Sequence, residues 1–180
     1  MIGNDIVNLT LARKQSNWQR KGWLEKVFTN DEISYIQNSL VPEHSVWMLW
    51  SQKEAAYKAH QRLTRCKSWY QPKKIICSLT NEVVTIDNYT FFTTTDIHPE
   101  YIYSQAYLKN KISYSQICPG AQGEVRQLLL KYLSKTNFLQ IQHLKIVKDS
   151  LGIPYIHYHQ QQYPQSFSIT HHGNYAAFNM

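Results

Sequence analysis

Two short segments of this chain combine residues that can hold a metal ion against a phosphate group. The first, 3-GNDIVNL-9, places Asp5 among small and apolar residues, and the second, 50-WSQKEAAYKA-59, places Glu54 four residues before Lys58. Mg²⁺ prefers oxygen ligands and keeps several waters, so one or two carboxylates plus substrate phosphates complete its coordination. A lysine one helical turn from an acid can neutralise charge that develops during phosphate transfer. These residue types therefore favour chemistry on a phosphorylated substrate.

The same residues have ordinary structural explanations as well. Glu54 and Lys58 at i, i+4 would form a helix ion pair that contributes only a few tenths of a kcal/mol. Asp5 can simply end a strand. The residue types alone leave both explanations open.

Hydrophobic periodicity and turn signals predict the elements that would position these residues. Residues 2–9 are predicted to form a strand. Thr29 and Glu32 fit a capping box, which predicts a helix that Pro42 ends. The pattern from about 46 to 63 is helical, with a small and apolar stripe along one face.

A second set of elements follows in the rest of the chain. Four apolar, β-rich segments are typical of an antiparallel meander: 74–79, 82–87, 89–95 and 101–108. A Pro-Gly turn at 119–120 marks the best candidate boundary. Beyond it, the apolar residues from Val125 to Leu133 follow helical spacing, and short strands are predicted at 141–147, at 153–158 and around Phe167 and Ala176.

A helix followed by antiparallel strands thus occurs twice, at about 46–108 and about 122–178, as a weak repeat in pattern. We therefore predict an α+β fold with two pseudo-equivalent halves, each with helices packed on an antiparallel sheet. The halves are predicted as 1–110 and 111–180, which together form one compact unit.

Composition narrows the class of protein. The formal net charge is +7 and 43% of the residues are hydrophobic, which predicts a packed protein with an acidic or phosphorylated partner. Three cysteines without CxxC spacing and the absence of a signal-like N-terminus predict reduced thiols and a cytoplasmic location. No apolar run approaches the roughly 20 residues of a membrane span, so no membrane is predicted as a partner.

The two acidic segments resemble the signature motifs of the 4'-phosphopantetheinyl transferases. Holo-acyl-carrier-protein synthases and their larger surfactin-type relatives carry a G-x-D-I/V-like strand and a W/F-S/T-x-K-E-A-x-x-K-A helix. This chain matches these motifs at Gly3, Asp5, Ile6, Val7, Trp50, Ser51, Lys53, Glu54, Ala55, Lys58 and Ala59.

The resemblance implies a fold, a reaction and roles for three residues. It implies a phosphopantetheinyl-transferase-like fold and transfer of 4'-phosphopantetheine from coenzyme A to a serine of an acidic apo acyl or peptidyl carrier protein. Asp5 and Glu54 would bind Mg²⁺, or alternatively Mn²⁺, and Lys58 would contact the coenzyme A phosphates. Glu54, or a water that it activates, would take the proton from the carrier serine.

Two departures from the family pattern change these expectations. Surfactin-type enzymes have a second acid where this chain has Val7, so the metal is expected to use two carboxylates and an extra water. The glycines that usually follow the helix motif are replaced by residues 60–62, so the following loop is expected to differ.

The C-terminal segments 152-GIP-154 and 168-SITHHGNYAAF-178 resemble the G-K-P and S-x-S-H-x-x-x-x-A-x-A elements of the same family. This resemblance implies that His171 helps to hold the 3'-phosphate of coenzyme A and that Thr170 replaces the preceding serine. Ile153 stands in place of the family's lysine, which removes one expected contact with the coenzyme.

Two further sets of residues are candidates for binding. Arg126 resembles the arginine of the R-x-L-L helix in surfactin-type enzymes, and it would supply charge to the nucleotide. Four histidines offer zinc binding as an alternative to phosphate binding: His157, His159, His171 and His172.

The order of the motifs predicts the architecture. Surfactin-type enzymes have the G-x-D and K-E-A motifs last, whereas this chain has them first. Joining 174-NYAAFNM-180 to 1-MIGNDIV-7 restores the surfactin order across one connection. We therefore expect a circularly permuted, two-half monomer with a complete site. The alternative is a homotrimer of the synthase type, in which His171 of a neighbouring subunit completes the site.

Two other functions fit parts of the sequence. A basic, aromatic-rich surface could bind nucleic acid, but the lysines and tyrosines are dispersed and form no recognisable motif, so nucleic acid is not predicted as a partner. A catalytically weak relative that binds coenzyme A or a carrier protein is the remaining alternative, because several family positions have changed.

Overall fold

The computed structural model describes residues 1–67, 70–109, 114–120 and 122–180. Within these ranges the helices are α1 (Leu9–Gln15), α2 (Leu24–Val27), α3 (Asn30–Gln37), α4 (Pro42–Thr64) and α5 (Gln122–Asn137). The strands are β1 (Ile2–Asn8), β2 (Ile75–Cys77), β3 (Val83–Ile86), β4 (Tyr89–Ile97), β5 (Tyr101–Tyr107), β6 (Ser115–Pro119), β7 (Leu144–Lys148), β8 (Pro154–Tyr158), β9 (Gln161–Tyr163), β10 (Ser168–His172) and β11 (Tyr175–Asn179). None of the described helices combines the length and the apolar character needed to cross a membrane.

The strands form antiparallel sheets, so the predicted α+β class is confirmed. The largest sheet has the order β1-β5-β4-β3-β2, and the two smaller sheets have the orders β10-β11-β6 and β7-β8-β9. The predicted meander corresponds to β2 through β5, in which each strand pairs with the next. The first strand pairs with the last strand of this meander, with Asp5 opposite Ser104.

A close approach between β1 and α4 sets the relative position of the two segments that carry Asp5 and Glu54. A Cβ atom added to Gly3 would lie 2.0 Å from the Ala55 carbonyl oxygen and 2.8 Å from the Ala59 nitrogen. Ala55 and Ala59 are themselves fully buried. The glycine and the two alanines therefore allow the backbones of the strand and the helix to touch, which brings the two motifs together.

The predicted capping box of α3 is confirmed, and it extends into a buried ion pair. The Glu32 backbone N–H donates to Thr29 Oγ1 (3.3 Å), and the Thr29 N–H donates to the Glu32 carboxylate (2.9 Å). The same carboxylate accepts a hydrogen bond from the Cys77 N–H (2.9 Å) and pairs with Lys53 Nζ at 2.8 Å. Both charged side chains have no exposed surface. Lys53 of the helix motif therefore joins α3, α4 and β2.

The described residues pack around two main hydrophobic cores. The first extends from Val7 to Ala106 and the second from Cys118 to Met180. A small cluster of Ile6, Tyr103 and Ala177 lies where β1 and β5 meet β11. The predicted division between 110 and 111 falls in 110–113, outside the described residues, and it stays a prediction.

Several element boundaries differ from those predicted. Helix α4 begins at Pro42 rather than at about 46, because proline is well tolerated in the first turn of a helix. Helix α1 was not predicted, since it buries only Leu9 and Ala12 and has a short, mostly polar sequence. Its start is stabilised by Asn8, whose side-chain oxygen accepts a hydrogen bond from the Leu11 N–H (2.9 Å). Strands β6 and β9 were also missed.

Candidate active site

Asp5, Lys58 and Thr170 form a compact polar cluster drawn from β1, α4 and β10. Lys58 Nζ donates to Asp5 Oδ1 (2.9 Å), to the Asn4 carbonyl oxygen (2.9 Å) and to Thr170 Oγ1 (3.3 Å). The Thr170 hydroxyl donates in turn to Asp5 Oδ1 (3.2 Å). Asp5 is 8% exposed and Thr170 is 5% exposed. The structure therefore brings together three predicted site residues from distant segments of the chain.

Other side chains bind the backbone of β1 and keep Asp5 in place. The Ser51 hydroxyl, also part of the helix motif, donates to the Asp5 carbonyl oxygen (3.2 Å). Asn179 Nδ2 of β11 donates to the Gly3 carbonyl oxygen (3.0 Å). These two hydrogen bonds tie the segment of β1 that carries Asp5 to α4 and to β11.

His172, rather than His171, is held by the protein. The Asn8 backbone N–H donates to His172 Nδ1 (3.0 Å), so the ring proton lies on Nε2 and is donated to Gln15 Oε1 (3.0 Å). Burial lowers the pKa of His172, which favours the neutral ring. Both ring nitrogens are occupied, which leaves neither for a metal ion. His171 is exposed and lines the cavity described next.

The two candidate metal ligands, Asp5 and Glu54, line an open cavity of about 270 Å³. The polar groups on its wall include both carboxylates and both histidines, and three indoles form an aromatic side. The wall is built by Asp5, Ile6, Val7, Ala12, Gln15, Ser16, Trp23, Trp47, Trp50, Glu54, His171 and His172. Val7 stands where surfactin-type enzymes have a second acid, and it forms an apolar part of the same wall. Its exposed fraction is only 3%.

Glu54 titrates near neutral pH in this environment. Burial and the charge of Asp5 raise the pKa of Glu54 from 4.5 to about 7, while Lys58 and Tyr70 act in the opposite direction. A carboxyl with a pKa near the working pH can accept a proton and release it again. In the metal-free protein, Glu54 can therefore exchange a proton near neutral pH.

The donor set fits a divalent cation that a substrate helps to bind. In the part of the chain that the structure describes, no group of three or more His, Cys, Asp or Glu side chains is arranged to hold a metal ion. Two carboxylates suffice for Mg²⁺ or Mn²⁺ when phosphate oxygens and waters supply the other ligands. Asp5 raises the pKa of Glu54, and a bound cation would relieve that repulsion. The residues present therefore fit such an ion.

Arg126 lies outside this cluster. It is on α5, which packs against β7, β10 and β11 around the second core, and it does not line the cavity that contains Asp5. Its guanidinium Nε is buried and has no hydrogen-bond partner among the residues that the structure describes. Its proposed contact with the nucleotide stays a prediction.

The comparisons with known proteins assign the family. The model of the 4'-phosphopantetheinyl transferase superfamily matches residues 1–109, which include β1, α4 and the whole meander. Since the match covers more than half of the chain, the chain belongs to this superfamily. Among solved structures it is similar to the holo-[acyl-carrier-protein] synthase of Helicobacter pylori in complex with coenzyme A, with 19% identity, 61% of this chain and 100% of that chain covered, and a TM-score of 0.46. The comparison with curated proteins gives no significant match.

Proposed function

We propose that the protein transfers 4'-phosphopantetheine from coenzyme A to a serine of an acidic apo carrier protein in a Mg²⁺-dependent reaction. The observation that carries this proposal is the convergence of Asp5 and Glu54 on one cavity, with Lys58 hydrogen-bonded to Asp5. All three residues lie within the region that matches the superfamily model. The net charge of +7 favours an acidic protein partner.

The reaction forms one bond and breaks another at a single phosphorus atom. The carrier serine oxygen attacks the phosphorus that bears the pantetheine arm, the bond to the bridging oxygen of the diphosphate breaks, and adenosine 3',5'-bisphosphate leaves. Glu54, or a water beside it, takes the serine proton. The cation, held by Asp5 and Glu54, would supply positive charge to the diphosphate.

Lys58 and His171 support the binding of the same substrate. Lys58 lies at the cluster with its charge beside Asp5, where it can offset negative charge on the diphosphate. His171 is exposed at the cavity, which supports its proposed contact with the 3'-phosphate. Thr170 orients Asp5 through its hydroxyl. Three free cysteines support a reducing location, and we propose the cytoplasm.

The test is an incubation of the purified chain with coenzyme A, Mg²⁺ and a panel of apo carrier proteins. Intact mass spectrometry should show the added phosphopantetheine arm on at least one carrier, and EDTA should prevent its addition. Asp5→Asn and Glu54→Gln should each abolish transfer. Asp31→Asn provides a matched control, because Asp31 is an exposed carboxylate in the first turn of α3.

Two results would contradict this proposal. Retention of coenzyme A without modification of any carrier would indicate a binding protein rather than an enzyme. Near-normal turnover by either amide variant would remove that residue from the proposed metal site.

A further inference from the structure

Tyr70 lies against the face of α4 that carries Glu54. Trp50, Glu54 and Tyr57 follow the spacing i, i+4, i+7 and share one side of the helix. The Tyr70 ring makes edge contacts with the two aromatic members of this stripe, at 5.9 Å from the Trp50 ring and 5.0 Å from the Tyr57 ring. These contacts on either side of Glu54 hold the phenol next to the carboxyl.

The hydroxyl of Tyr70 has no completed hydrogen bond. It is buried and has no partner of full hydrogen-bond geometry among the described groups. The phenol lies within reach of the Glu54 carboxylate, and it keeps its proton at neutral pH and so remains a donor. Buried donors are almost always paired in folded proteins, so an unpaired donor beside a functional carboxyl calls for an explanation.

We propose that Tyr70 is a positioning residue for Glu54. Its hydroxyl donates a hydrogen bond to one oxygen of the Glu54 carboxylate, and the other oxygen would remain available to a cation. Carboxylates that bind metal ions are commonly held in this way by a neighbouring donor. This inference rests on the proposed function, since it assigns Glu54 to the metal.

The experiment compares Mn²⁺ binding by the wild-type chain and by Tyr70→Phe, with free Mn²⁺ measured by electron paramagnetic resonance. We expect about tenfold weaker Mn²⁺ binding in the variant, a lower kcat and a nearly unchanged KM for coenzyme A. Thermal unfolding without metal should show that the variant remains folded, because its ring keeps the contacts with Trp50 and Tyr57. Tyr163→Phe is the matched control, since it removes a hydroxyl that accepts a hydrogen bond from Asn137 near the second core.

A second comparison separates positioning from packing. In the Glu54→Gln background, Tyr70→Phe should cause no further loss of Mn²⁺ binding, because the interaction that it removes is already lost. Unchanged Mn²⁺ affinity and kcat in Tyr70→Phe alone would overturn the inference. A variant that fails to fold would also overturn it, since the hydroxyl would then be needed for packing. A wild-type chain that binds no Mn²⁺ and modifies no carrier would instead contradict the proposed function.

Discussion

Glu54 carries an unfavourable charge in the folded protein, and its effect on stability depends on pH. Its pKa is raised from 4.5 to about 7, so the folded state holds a proton between these values that the unfolded state has lost. The stability that comes from this bound proton is therefore complete below about pH 4.5 and is lost as the pH rises through about 7.

Glu54→Gln should thus stabilise the metal-free protein at high pH. At pH 8 in EDTA, we expect its free energy of unfolding to exceed that of the wild type by on the order of 1–3 kcal/mol. Near pH 4.5 the two proteins should be about equally stable, and Mg²⁺ should reduce the difference at pH 8 because it stabilises only the wild type. Urea unfolding at both pH values checks this. A less stable variant at pH 8 would contradict the assigned cause of the shift.

The two adjacent histidines should respond differently to substitution. His171→Ala should raise the KM for coenzyme A by an amount equivalent to about 1.5–3 kcal/mol, with a much smaller effect for 3'-dephospho-coenzyme A. His172→Ala removes the contacts with Asn8 and Gln15, so it should lower the Tm and affect both substrates alike. Steady-state kinetics with the two substrates checks both expectations. Equal losses for His171→Ala would remove His171 from the 3'-phosphate site.

Local sequence was sufficient to select Asp5, Glu54 and Lys58 because they lie in compact motifs. His171 was predicted from the family resemblance, since alternation along a strand shows that only one of two neighbours faces inward and does not show which. Its role stays a prediction. The partners of Lys53 and Tyr70 were missed. Their contacts join segments that only tertiary packing brings together. The residue pattern within one helix or strand does not indicate such contacts.

At the scale of elements, the contact between β1 and α4 depends on Gly3. Gly3→Ala would force a methyl group into the helix backbone, and we expect a loss of about 1–3 kcal/mol in the free energy of unfolding. Transfer should also slow, because the strand that carries Asp5 would shift relative to Lys58. Urea unfolding and the carrier assay measure the two effects.

Gly123→Ala is the matched control for this prediction. An added Cβ at Gly123 meets no atom within 4 Å, and the residue lies in the first turn of α5. Alanine favours helix more than glycine by up to about 1 kcal/mol, so this variant should be equally or more stable. A Gly3→Ala variant as stable as the control would show that the strand and the helix can separate without cost.

Elements with strong local signals were predicted well, and those without them were not. The capping box predicted the start of α3, and the apolar, β-rich segments predicted the meander. Helix α1 has seven residues and depends on the Asn8 cap and on contacts with the rest of the fold. Such a short helix is not stable alone, so its own sequence gives little signal from which the helix could be predicted.

At the scale of the whole molecule, the same chain brings Thr170 and His171 to Asp5 and Glu54. Thr170 contacts Asp5 and Lys58 of the same chain, and β10 and β11 pack against β1. We therefore propose the permuted two-half monomer over the trimer. Light scattering coupled to size exclusion should give a mass near 21.2 kDa, and specific activity should not fall on dilution. A trimer whose activity is lost on dissociation would support the alternative.

The distance along the chain between β1 and the strands that cover it has a consequence for biosynthesis. Asp5 and Thr170 are 165 residues apart in sequence. A nascent chain that has emerged as far as β5 can form the first core and the Asp5–Lys58 pair while the outer edge of β1 still faces water. An open strand edge is a template for aggregation, and contacts between distant segments form slowly. Stalled or truncated translation products that lack β10 and β11 are therefore expected to aggregate, and the site is completed only late in synthesis.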